Sequence, residues 1–108
     1  MTVQVKPIYA QVYQALQENI DDVLREHAIE QLEQRITATQ QNIQQWEARY
    51  HCDYPTFAER VATDLDYVRQ LNAHPETQMW EGDLIEWEVE LEDLQRWQHH
   101  LQILLNAS

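Results

Sequence analysis

The chain has 108 residues, enough for one domain, and its apolar fraction of 44% supports a modest folded core. The formal charge of −12, from 19 acidic and 7 basic residues, repels nucleic-acid backbones and anionic membranes and suits a basic protein or a cation. The single cysteine, Cys52, excludes an internal disulfide. The N-terminus lacks the basic and apolar regions of a signal peptide, and no apolar run approaches the roughly 18 residues of a membrane span, so a cytoplasmic protein is expected.

Gly82 is the only glycine, and the three prolines stand at 7, 55 and 75. So few breakers among many Gln, Glu, Leu and Ala residues predict an all-α fold of long helices. Residues 1–6 alternate polar and apolar and read as a short arm. Pro7 suits a first helical turn, where its missing N–H costs nothing. From there to Tyr50 nothing breaks the pattern, which predicts a helix over 7–50. Its stripe runs Ile8, Val12, Leu16, Ile20, Val23 and His27, then slips in phase. It continues as a regular heptad through Ile29, Leu32, Ile36, Thr39, Ile43, Trp46 and Tyr50.

The stretch from Tyr50 to Pro55 reads as the first turn, with Asp53 capping a second helix over 53–73 that carries Phe57, Val61, Leu65, Val68 and Leu71. His74–Pro75 ends it, and 74–82 reads as a loop. The last helix is predicted over 83–105, with a seam of Leu84, Trp87, Leu91, Leu94, Gln98, Leu101 and Leu105. At about 1.5 Å per residue the first helix would be roughly 65 Å long and the last roughly 35 Å. Folded back as an antiparallel hairpin, the last helix covers only the distal half of the first. The proximal stripe Val12, Leu16, Ile20 and Val23 is left without a partner in the chain, which predicts a homodimeric bundle.

Eight acidic residues and no Lys or Arg lie between Gln70 and Gln95. Paired carboxylates there could serve acid–base chemistry, but catalysis needs a desolvated concave pocket, and a run of acids around a helix reads as a solvated face. His51, Cys52 and Asp53, with Glu47, are a candidate metal set. One Cys without a second spaced pair reads instead as a turn with a capping Asp, so no metal or cofactor is expected. Adjacent His99 and His100 point about 100° apart on a helix and cannot chelate together. Trp46 and Trp87 fall on the seams as core. Trp80 and Trp97 fall off them, as interface anchors or as packing against the second helix.

A helix ending in Trp46–Glu47–Ala48–Arg49–Tyr50, a short turn, Phe57, and then Glu81–Gly82–Asp83–Leu84–Ile85–Glu86–Trp87–Glu88 opening a Leu-rich helix resembles a family of small acidic helical proteins. Its members carry a Tyr–Gly turn followed by Phe and by Glu-x-Asp-x-x-x-Trp-Glu, and are regarded as antitoxin-like partners of small toxins of the TumE type. The resemblance covers about residues 30–105, with Tyr50, Phe57, Glu81, Asp83, Trp87 and Glu88 at motif positions. His51 stands where the pattern has Gly, the residue that most readily supplies a left-handed turn, and Phe57 to Trp87 is longer than in many members. The resemblance implies a non-enzymatic neutraliser of a small basic toxin. Glu81, Asp83, Glu86, Glu88 and Glu90 would meet its Lys and Arg, with Trp80 beside them. The alternatives are a structural coiled-coil scaffold and a small metal-dependent or carboxylate enzyme.

Overall fold

The computed structural model describes residues 7–107, and the arm expected at 1–6 lies outside them. The described residues form four helices: α1 Pro7–Tyr50, α2 Tyr54–Thr63, α3 Leu65–Ala73 and α4 Trp80–Asn106. No strand is found among them. The molecule measures 77 × 28 × 23 Å, with a radius of gyration of 23.7 Å. A compact chain of this length would have a radius near 13 Å. The elongation comes from α1, whose 44 residues run without interruption because nothing in them breaks a helix.

His51 ends α1 with φ 57, the left-handed conformation that usually falls to glycine. Asp53 then caps α2, its carboxylate accepting from the Thr56 amide at 3.0 Å, with Pro55 in the first turn.

The helix expected over 53–73 is two helices. Asp64 lies between them in extended conformation (φ −117, ψ 97). Its amide donates to the Arg60 carbonyl at 2.9 Å, while its carboxylate accepts from the Tyr67 amide at 3.1 Å. A short acidic side chain that captures a backbone amide competes with helix continuation, and here it starts a new helix. The break sets the faces. Leu65, expected inside, is 73% exposed, whereas Tyr67 is buried.

His74, extended before Pro75, closes α3. A tight turn follows, in which Thr77 Oγ1 donates to the Leu71 carbonyl at 2.7 Å and the Trp80 amide to the Thr77 carbonyl at 3.1 Å. α4 begins at Trp80, three residues before the expected Asp83, so Gly82 lies inside a helix and breaks nothing. Glu81 and Asp83 occupy the first turn, where the helix dipole favours carboxylates.

α4 runs back along the distal part of α1. Arg49 meets Asp83, Trp46 meets Glu90, Arg35 lies over Trp97 and Arg25 reaches the Leu104 carbonyl. The contact seam of α4 follows the expected heptad through Leu94 and again at Leu101, and departs from it at two positions. Trp97 and Leu104 are half-buried, while Gln98 and Leu105 are exposed. Burying an unpaired amide costs free energy, and the indole one position earlier offers a large apolar area in its place.

Candidate functional site

The core is concentrated at one end of the molecule, where the turn after α1 meets α2, α3 and the start of α4. Its fully buried members are Phe57 and Trp87, with Tyr50, Tyr67, Leu71 and Ile43 around them. Tyr50 stacks on Phe57 with ring centroids 4.2 Å apart, and Phe57 stacks on Trp87 at 5.6 Å. Tyr54 meets Trp87 edge-on at 5.6 Å. Trp87 Nε1 is buried without a hydrogen-bond partner.

Two of the carboxylates expected on the partner-binding surface belong to this body. Asp83 Oδ2 accepts from Arg49 Nη1 at 2.9 Å and also from the Tyr50 hydroxyl. Burial, and then the hydrogen bond to the Asp83 carboxylate, push the Tyr50 phenol well above its ordinary pKa. The same carboxylate holds the Arg49 guanidinium even more firmly protonated. Glu90 Oε2 accepts from Trp46 Nε1 at 2.9 Å. Trp80 is half-buried against the core, and its Nε1 donates to Asn72 Oδ1 on α3 at 2.9 Å. Asp83, Glu90 and Trp80 therefore hold α4 to α1 and α3, while Glu81, Glu86 and Glu88 remain exposed. Trp97, half-buried, is flanked by the guanidinium groups of Arg35 at 5.1 Å and Arg96 at 4.8 Å.

The residues expected at a dimer interface lie at the opposite end. Val12, Leu16, Ile20 and Val23 are 52%, 53%, 49% and 56% exposed, and Tyr9, Tyr13 and Leu24 beside them are also exposed. α4 reaches no further along α1 than the Arg25–Leu104 bond of 3.1 Å, so every described side chain from 9 to 24 is exposed.

One feature escaped the sequence reading. A cleft of about 680 Å³ opens between the end of α1 and the α3–α4 turn, and its walls carry Arg49, Arg60, His51 and His74. The signal was in the charge distribution. Residues 49–74 hold three Arg against four acids, and the rest of the chain is far more acidic. Arg60 lies over the Tyr67 ring with its guanidinium carbon 3.8 Å from the centroid.

Among the described residues no three His, Cys, Asp or Glu side chains converge as metal ligands, and no helix is long and apolar enough to cross a membrane. Comparison with known proteins returns no match: no family model, no curated protein and no solved structure aligns significantly with the chain.

Proposed function

We propose that the chain is a non-enzymatic, cytoplasmic protein-binding protein, an antitoxin-like neutraliser of a small basic toxin that works as a homodimer. α1 and α4 would form an antiparallel hairpin. The proximal stripe of α1 pairs with a second copy, and the exposed acids Glu81, Glu86 and Glu88 meet Lys and Arg on the toxin, occluding its working surface. Asp83, Glu90 and Trp80 contribute by holding that face rigid rather than by contact.

The observation that carries this reading is the uncovered stripe Val12, Leu16, Ile20 and Val23 on a helix that outruns its own partner helix. Large apolar side chains gain roughly 1.5–3 kcal/mol each on full burial, and two-fold pairing is the commonest way for identical chains to obtain it. A scaffold with no toxin partner is the second reading, and the 77 Å length favours it.

Light scattering on the purified chain should give a dimer, and Leu16→Glu with Ile20→Glu should give a monomer. A wild-type monomer at micromolar concentrations removes the dimer. Co-expression with a small basic protein encoded beside it should yield a complex that is lost when Glu81, Glu86 and Glu88 become Lys. A dimer that binds no such protein leaves the scaffold.

A further inference from the structure

We infer that the cleft between the end of α1 and the α3–α4 turn binds a small organic oxyanion, a phosphate or carboxylate group carried on an apolar body. The inference goes beyond the partner-binding reading and does not rest on it.

Charge is the first ground. In a chain of formal charge −12, two of the seven Lys and Arg residues and two of the five His residues line one cleft. Arg49 is already matched by Asp83 at 2.9 Å. Arg60 is not: among the described residues it forms no ion pair within 4 Å with any carboxylate. Glu76, on the rim, is the one acid lining the cleft and opposes the anion. The acids of distal α4 and proximal α1 act over longer range, and at physiological ionic strength charges more than about 8 Å apart are largely screened.

Geometry is the second ground. The guanidinium of Arg60 is stacked on Tyr67, whose ring is buried in the core and fixes it. A stacked guanidinium keeps its in-plane N–H groups free for a bidentate oxyanion, and little further side-chain entropy is lost on binding. Leu71 and Pro75 supply apolar wall for the body of the ligand, and Gln70 adds an amide. The volume of about 680 Å³ falls in the range of small-molecule sites. The cleft is open to solvent along one side, so affinity is modest and the probes are given at millimolar concentration.

The test is an amide NMR titration of the full chain with phenyl phosphate, benzoate and the neutral benzyl alcohol. Saturable shifts at Gln70, Leu71, His74 and Thr77 are expected with either anion, and weaker ones with the alcohol. Arg60→Gln should weaken anion binding about tenfold, the worth of one charge-assisted contact, while Arg96→Gln should leave it unchanged. Gln70→Glu, an exposed change that leaves the Arg60–Tyr67 stack intact, should weaken it to a similar extent. The inference is overturned if benzyl alcohol binds as well as the anions, if the cleft amides do not saturate, or if folded Arg60→Gln and Gln70→Glu bind like the wild type.

Discussion

Trp87 is where the structure makes its most demanding prediction. The side chain is fully buried, stacked on Phe57 and met edge-on by Tyr54, yet its indole N–H has no acceptor. Truncation to Ala removes the whole ring system from a closed cluster and should cost about 3–5 kcal/mol. Against a total stability of about 5–15 kcal/mol, that is a large fraction, and at the low end of the range it puts the variant at the edge of folding. Trp87→Phe is a different case. It gives up the extra ring atoms, about 1.5–2.5 kcal/mol at roughly 0.8 kcal/mol per buried carbon. It also removes a buried donor whose unmet desolvation costs about 1–3 kcal/mol. The two nearly cancel, so Trp87→Phe should fall within about 1 kcal/mol of wild type. Urea unfolding followed by circular dichroism reads both, with unchanged slopes confirming that the same surface is exposed. The reasoning is refuted if the Phe variant is as damaged as the Ala variant, since the N–H must then have a partner, or if the Ala variant unfolds at the wild-type midpoint.

Gly82 lies in the first turns of α4 with nothing within 4 Å of the position a Cβ would take, so Gly82→Ala should stabilise by about 0.8–1 kcal/mol and raise the melting temperature. His51→Gly should relieve the cost of a non-glycine residue at φ 57; that cost is about 1–2 kcal/mol and is offset in part by the entropy a glycine adds to the unfolded chain, leaving a net gain below about 1 kcal/mol, read by the same melt. The raised pKa of Tyr50, caused first by burial and then by Asp83, makes stability fully present below the unfolded phenol's pKa of about 10 and lost progressively as the pH rises above it. Tyr54 and Tyr67, also raised by burial, act in the same sense, so urea midpoints should fall above about pH 10, and less steeply in Tyr50→Phe.

α1 was legible because 44 residues without a breaker leave a helix little competition, and the heptad from Ile29 to Tyr50 is the face that α4 covers. The break at Asp64 was not legible from apolar spacing. Phe57, Val61, Leu65, Val68 and Leu71 fit one helix, and only the capture of the Tyr67 amide by the Asp64 carboxylate decides for two. Gly82 misled in the opposite direction: a helix already anchored by Trp80 and Trp87 tolerates the roughly 1 kcal/mol that one glycine costs. In the sequence the acid block reads as a single surface, because sequence gives charge but not direction. Tertiary contacts divide it, turning Asp83 towards Tyr50 and Arg49, and Glu90 towards Trp46. The cleft was invisible as a motif because its lining comes from separate places: Arg49 from the end of α1, Arg60 from α2 and His74 from the turn after α3.

The phase slip near His27 divides two kinds of helix within α1. Beyond it, the aromatic cluster and α4 hold the chain. Before it, residues 9–24 extend the helix with no tertiary cover, and they do so without a nucleation cost because they continue a helix already formed. Propagation alone is close to balanced per residue, so that segment draws almost nothing from folding. Its neighbours Glu18, Asp21, Asp22 and Glu26 oppose the approach of a second acidic chain. Exposed charge pairs, however, act at a few tenths of a kcal/mol each and are screened by salt. Covering Val12, Leu16, Ile20 and Val23, each now about half exposed, gains on the order of 1 kcal/mol per side chain and recurs on both copies. The apolar sum exceeds the electrostatic one, which supports the proposed pairing of a second copy on this stripe and leaves the surplus to be set against the freedom lost on association.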